Sequence, residues 1–471
     1  MKKPSAKLGR RSLLAKISAT LDRLQPENPD GGTYEHARST ESSPTYIRYV
    51  VTTGIRAFDD RVGGMPIGKA TELCGLPKSG KTNMAVRTCV RAQQGFIYER
   101  VQAEDGSVTL QQLKPGTYNV TILYYDNEGS LSDFNNRVVD RTVMDGEIIQ
   151  CETIELLWKT MDGVMQDMDA EQEENPEIVQ FLIVVIDTVG SMTTKMELDA
   201  AWGKTDFPRV PAQLKAGFKA MTSRMQRENV LLMGLNHVSR KMTSRAGTGP
   251  PAFKGWSYDS PGGLAFSYFS THQVYFEMLQ RKYCLRSQGE ADGILVYFLT
   301  EKNRMLPMLR QCNLALLFGL KDRLSGKLIQ EGGFKDDWSL LECLIYHKAA
   351  KISRNTGFIT FYFAKFGVPM TTFGAAAVPS LEEQDEAAPI PPPSRRMAAR
   401  PRLAEGEEHK KKDPRIPNRM AWLEFYQQHQ ADVEALYEIV TDRSLKGSFG
   451  VTLPGMDDAE EEEGDEGGIS P

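Results

Sequence analysis

The chain has 471 residues, 40% hydrophobic and 25% charged, the balance of an ordinary soluble globular protein rather than a fibrous or low-complexity one. At about 100–200 residues per domain, this length allows one large domain with appendages or two to three domains. Six scattered cysteines without a C-x-x-C pair and six unclustered histidines argue against a zinc site or disulfide framework. They suit a reducing cytoplasm. No run of about 18 apolar residues is present, so no membrane span is expected.

In chain order, residues 1–46 read as an arm. Its basic opening carries Leu13, Leu14, Ile17 and Leu21 at helical spacing. Lys16 and Asp22 interrupt the apolar stretch that a secretory signal would need. A core is expected over 47–367.

The first motif in it is the run Gly75, Leu76, Pro77, Lys78, Ser79, Gly80, Lys81, Thr82, a full match to G-x-x-x-x-G-K-[ST]. Glycines let the backbone curl so that successive N–H groups point at phosphate oxygens. Lys81 supplies a charge to the outer phosphates and Thr82 a hydroxyl for Mg²⁺. The strand-like TELCG before it and helix-like NMAVRTCVRAQQ after it are the context that the motif requires. ATP and Mg²⁺ are therefore the expected ligands.

Between 97 and 118 the turn signals Asp105-Gly106 and Pro115-Gly116 mark an inserted surface hairpin. A strand over 120–125 follows it into the core sheet. Glu128, in YYDNEGS, is placed to orient or activate a water; Asp126 is its local competitor, and a plain turn is the bland alternative. Residues 142–170 read largely as helix. FLIVVID is a continuous apolar run, as in a strand buried on both faces. It ends on Asp187, suited to hold Mg²⁺ or, less specifically, to cap a helix. ENVLLMGLNHV is a second such strand, ending on Asn236 and His237. Polar residues there face the ligand crevice of open α/β sheets, so His237 is a candidate phosphate sensor or else an ordinary surface histidine.

Two loops mix cations with rings. The stretch 198–213 carries Trp202, Lys204, Phe207 and Arg209. The stretch 237–263 is Gly/Pro-rich and without period, and carries Arg240, Lys241, Arg245 and Lys254 interleaved with Phe253, Trp256 and Tyr258. Cations that track phosphates and rings that stack on bases suit single-stranded nucleic acid; a protein interface is the rival reading. Beyond the core, 368–414 reads as a Pro- and charge-rich disordered linker. Residues 415–446 read as one or two helices anchored by Trp422, Phe425, Leu436 and Ile439. The closing stretch 447–471 holds eight acids and no base, so removing it from a net charge of −5 leaves +3. Such a tail is a solvated end, or an internal polyanion mimic competing for a basic groove.

The order of these pieces resembles the RecA-type strand-exchange ATPases, especially the UvsX-like phage recombinases. The resemblance runs from TTGIRAFDDRVGGMPIGKATELCGLPKSGKT through YYDNEGS, VVIDTVGSMTTKMELD and GLNHVSRK to TEKNR, over about Val51 to Gly367. It implies an α/β fold: a RecA-like P-loop core with a mainly parallel sheet flanked by helices, an inserted hairpin, an N-terminal helical arm for oligomerisation and a C-terminal helical segment. It implies that Glu128 is the water-activating base, that Asp187 is the Mg²⁺-associated acid, and that His237 links the terminal phosphate to the loop after it. It also implies that the two loops bind DNA. Two features depart from the pattern. Thr82 and Glu128 lie 46 positions apart because of the insertion, and Ser267 stands where RecA carries a lysine. Lys302 and Arg304 become the candidates for the cation that meets a neighbour's terminal phosphate.

The expected function is a DNA-dependent ATPase for homologous recombination and DNA repair, forming a helical filament on single-stranded DNA and pairing it with double-stranded DNA. Mediator and single-strand-binding proteins are the expected partners. A host cytoplasm or nucleoid is the expected place if the chain is phage-encoded. The rivals are a hexameric helicase on the same core and a non-catalytic ATP-switched mediator.

Overall fold

The computed structural model describes residues 46–102, 108–129, 131, 144–150, 153–199, 209–242, 256–259, 265–279, 285–287, 290–321, 328–330, 332–353, 358–366, 368, 415–416 and 421–447. In chain order these form β1 (Tyr49–Val51), α1 (Arg56–Val62), β2 (Met65–Pro66), β3 (Ala70–Gly75), α2 (Lys81–Gln93), β4 (Ile97–Gln102), β5 (Val108–Gln112), β6 (Tyr118–Asp126), β7 (Glu147–Ile149), α3 (Ile154–Glu174) and β8 (Val179–Asp187). Next come α4 (Lys195–Asp199), α5 (Arg209–Arg227), β9 (Val230–His237), β10 (Ser239–Met242), β11 (Trp256–Asp259), α6 (Ala265–Phe269), β12 (Ser270–Met278), β13 (Leu285–Ser287), β14 (Glu290–Asn303), β15 (Gln311–Leu317), β16 (Leu320–Lys321), β17 (Leu328–Gln330), β18 (Gly333–Lys335) and α7 (Asp336–Tyr346). The last elements are β19 (Ala350–Ile352), β20 (Ile359–Phe361), α8 (Phe363–Phe366), β21 (Arg415–Ile416), α9 (Trp422–Gln428) and α10 (Gln430–Gly447). One unit runs through Cys343 and a second begins at Leu344, inside the stretch expected as core.

The first unit is built on a ten-stranded sheet of order β18-β15-β14-β12-β3-β9-β8-β6-β7, with β13 added to β14. From β12 to β7 every pairing is parallel; from β12 to β18 every pairing is antiparallel. The parallel half is α/β in the expected sense. β8 is buried from Gln180 to Asp187, because helices cover both faces and the strand can be apolar throughout.

α3 illustrates the helical layer. The Thr153 hydroxyl caps it by accepting from the Leu156 N–H, and its buried face recurs through Leu157, Trp158, Met161, Met165 and Met168. Asn175 and Pro176 end it. Phe218 of α5 meets Trp158 of α3 edge-on at 5.4 Å, Phe266 edge-on at 5.0 Å and Phe269 face-on at 5.1 Å. It thereby locks α5, which follows the first expected DNA loop, to α6, which follows the second. Truncating such a fully buried ring costs about 3–5 kcal/mol.

The structure refines three sequence readings. Residues 142–170 are largely helix through α3, but Glu147–Ile149 form β7, pairing parallel with Leu123, Tyr124 and Tyr125 at the sheet edge. The inserted hairpin is formed by β4 and the exposed β5, and β4 also pairs with β1, so the hairpin completes a four-stranded sheet of order β2-β1-β4-β5. The stretch 237–263 is not structureless throughout, because β10 and β11 form an antiparallel ribbon within it.

In the second unit, β19, β20 and β21 form a three-stranded sheet. Phe361 stacks on Phe425 at 4.9 Å and on Trp422 at 5.7 Å. Trp422, Phe425 and Leu436 are buried as expected; Ile439 is half-buried, while Val433, Tyr437 and Val440 take buried positions. The arm over 1–45 and the tail from 448 lie outside the described residues, as does 369–414 of the expected linker.

Candidate functional site

The parallel strands β3, β6, β8 and β9 deliver Gly75, Asp126, Asp187 and His237 at their C-terminal ends. Register explains why these meet. Gly75 lies beside His237, and Asp126 beside Asp187, so residues far apart in the chain fall on one edge of the sheet, where open α/β sheets bind ligands.

The loop between β3 and α2 is shaped by close approaches. A Cβ on Gly75 would sit 2.0 Å from the Phe276 carbonyl oxygen, which excludes any side chain there. Gly80 holds φ +85° and caps α2, with the Phe334 ring 2.8 Å from where its Cβ would be. Left-handed backbone of this kind favours glycine. Pro77 and Lys78 are exposed, Leu76 is half-buried, and the Ser79 side chain is buried with its hydroxyl unpartnered among the described residues.

Lys81 is buried and donates to the carbonyls of Gly75 (2.9 Å) and Leu76 (3.0 Å). Burial pulls its pKa down to about 8, while Asp187 and, more weakly, Glu128 pull it back up. A desolvated cation with neutral partners, an unpartnered hydroxyl and the N-terminus of α2 make a cradle for an anion. The residues therefore fit a nucleotide's phosphates.

His237 joins this cation to the candidate base. Its Nδ1 lies 3.5 Å from Lys81 Nζ, and its Nε2 lies 3.2 and 3.3 Å from the two carboxylate oxygens of Glu128. An ammonium only donates, so Nδ1 accepts and Nε2–H donates to Glu128. Asp126 is engaged elsewhere: it is buried, and its Oδ2 accepts from the Leu131 N–H at 3.0 Å. Glu128 rather than Asp126 is thus the acid beside His237.

Asp187 is buried, and its Oδ2 accepts from the Thr82 hydroxyl at 2.8 Å and the Tyr124 hydroxyl at 2.9 Å. A hydroxyl and a carboxylate at this spacing are hard oxygen donors that fit Mg²⁺, which takes one or two protein ligands with water and phosphate oxygens. Tyr124 was missed by sequence reasoning. Nothing local sets it apart from Tyr118 and Tyr125 in the same strand, and its reach to Asp187 depends on the β6–β8 register.

The ribbon leaves the site directly, since β10 begins two residues after His237. Arg240 pairs opposite Tyr258, Lys241 opposite Ser257 and Met242 opposite Trp256. Arg209 opens α5. Trp202, Lys204, Arg245, Phe253 and Lys254 lie outside the described residues. Of the two cations put forward for a neighbour's phosphate, Lys302 donates to the carbonyls of Ser267 (2.7 Å) and Tyr268 (3.0 Å), and Arg304 is exposed.

No family model matches the chain. Among curated proteins it is similar to the RecA protein of Sulfurovum sp. (strain NBC37-1), at 22% identity over 286 residues, covering 60% of this chain and 69% of that one. It is also similar to RecA of Methylobacterium radiotolerans, at 24% over 60% of this chain and 66% of the relative, and to RecA of Thermus aquaticus, at 22% over 57% and 67%. The matches thus span about two thirds of these relatives. Among the described residues no helix is long and apolar enough to cross a membrane.

Proposed function

We propose, from the premise that this chain is of the RecA type, that it is a DNA-dependent ATPase acting as a recombinase of the UvsX-like kind. It coats single-stranded DNA as a filament, aligns it with a duplex and exchanges strands. The observation that carries the reading is the contact of His237 with both Lys81 and Glu128, two residues before the β10–β11 ribbon begins. One imidazole touches the phosphate-loop lysine and the candidate base, and stands at the root of the candidate DNA segment.

In this reading Lys81 leaves the carbonyls of Gly75 and Leu76 for the phosphate oxygens of ATP. Thr82 and Asp187 hold Mg²⁺, which supplies countercharge to the phosphates when bound. Glu128 takes a proton from the water that attacks the terminal phosphorus, and ADP leaves with the bridging oxygen. His237 reports the occupant of the phosphate site to the ribbon. DNA and nucleotide are then linked ligands, each raising affinity for the other by the same factor.

The reading is tested on the ribbon. Replacing Arg240 and Lys241 by Ala should flatten the dependence of log K on log salt for single-stranded DNA by about 0.7 per lost phosphate contact. Trp256→Ala should weaken binding by about 1–3 kcal/mol with little change in slope, because stacking releases no counterions. If both variants bind single-stranded DNA like the parent at every salt, the ribbon is a protein interface and the recombinase reading fails.

A further inference from the structure

Glu72 lies in β3, three residues before the phosphate loop opens at Gly75, and is fully buried. Nothing in the chemistry above uses it. Its Oε1 accepts from the Asn236 side-chain amide at 3.0 Å, and its Oε2 accepts from the Ser267 hydroxyl at 2.9 Å. Asn236 stands on β9, just before His237 and the ribbon; Ser267 stands on α6, just after the segment that closes the loop. A single carboxylate therefore grips both roots of the stretch between 238 and 264, one with each oxygen.

The surroundings make this grip specific. The Oδ1 of Asn236 is buried and unpartnered among the described residues, so its amide nitrogen is what anchors the side chain. Ser267 is itself oriented, accepting from Gln273 Nε2 at 3.2 Å, while Lys302 holds the Ser267 carbonyl. Hydrogen bonds to a carboxylate are the stronger kind, and each donor is held in place, Asn236 by burial in β9 and Ser267 by Gln273 and Lys302.

We propose that Glu72 is the positioning residue that couples this stretch to the phosphate site. A change at one root of the loop is transmitted through the two carboxylate oxygens to the other root and to β3, hence to the phosphate loop. The proposal rests on the recombinase reading, because it takes the stretch to be where DNA acts.

Ser267→Ala tests it with little risk to folding, since Glu72 keeps Asn236 and the change removes a single oxygen. Turnover of ATP with and without a single-stranded oligonucleotide is measured, together with the oligonucleotide's affinity in ADP and in a non-hydrolysable ATP analogue. The expected result is basal turnover within about twofold of the parent and a DNA stimulation reduced about tenfold, the worth of one charge-assisted hydrogen bond. By reciprocity, the ratio of the two DNA affinities shrinks by a similar factor. Ser267→Thr, which restores the hydroxyl, should recover both. If basal and stimulated turnover fall together, or stimulation and affinity ratio stay at the parent's values, the clamp is structural only and the proposal is overturned. If the parent itself shows neither DNA binding nor stimulation, the recombinase reading fails first and takes the clamp with it.

Discussion

Replacing Tyr124 by Phe isolates one oxygen in the proposed Mg²⁺ site. The ring is fully buried, and its hydroxyl donates to Asp187 Oδ2 at 2.9 Å, alongside the Thr82 hydroxyl at 2.8 Å. Phenylalanine keeps the packing and leaves that oxygen with Thr82, so the fold should persist. What is lost is one hydrogen bond to a charged group, worth about 1.5–3 kcal/mol, and with it the fixed orientation of the carboxylate. At 1.4 kcal/mol per decade that is roughly 10- to 100-fold in Mg²⁺ requirement, the range seen when a ligand's supporting partner is removed. The assay is a Mg²⁺ titration of ATP turnover, with binding of a fluorescent ADP measured in chelator as the control. The midpoint for Mg²⁺ should rise while chelated nucleotide binding holds. An unchanged midpoint would refute the assignment of Tyr124 as the support of Asp187, and with it the metal role inferred for the Thr82–Asp187 pair.

Other perturbations separate the remaining roles. Glu128→Gln keeps an acceptor for His237 Nε2–H but removes the base, so turnover should fall about 10²–10⁴-fold with ATP binding intact; undiminished turnover would move the role to Asp126. Glu301 gives a pH test. Burial, and then the charge of Glu72, push its pKa from 4.5 up to about 7. The folded state therefore keeps its proton to a higher pH than the unfolded chain, and stability falls as pH rises from about 4.5 to 7, by at most about 3 kcal/mol. Comparing thermal midpoints at pH 5 and pH 8, Glu301→Gln should show a smaller drop than the parent; an equal drop would mean that Glu301 does not carry the effect.

The phosphate loop, the buried strand ending on Asp187 and the strand ending on His237 were all legible in the sequence. They are local: a glycine spacing with its lysine and threonine, or an apolar run, states its conformation without reference to the rest of the chain. The mainly parallel α/β core was implied by the family resemblance that these segments carry. Where local pattern is ambiguous it misled. Glu147–Ile149 read as helix because its apolar spacing suits either period, and the edge of β6 made it a strand. The ribbon went unread because each of its strands is only four residues long, too short to establish a period against the Gly- and Pro-rich residues around it.

What only the tertiary structure decided is convergence. That Glu128 rather than Asp126 lies beside His237 depends on the β9 terminus standing next to the phosphate loop, while the Leu131 N–H engages Asp126. Tyr124 and Glu72 carry no motif. Each becomes meaningful through strand register, Tyr124 by reaching from β6 to the end of β8 and Glu72 by lying between Asn236 and Ser267. Sequence spells out groups whose chemistry depends on neighbours along the chain. Register and burial choose the partners that lie across it, because hydrogen bonds between strands are set by packing of the whole sheet rather than by any one segment.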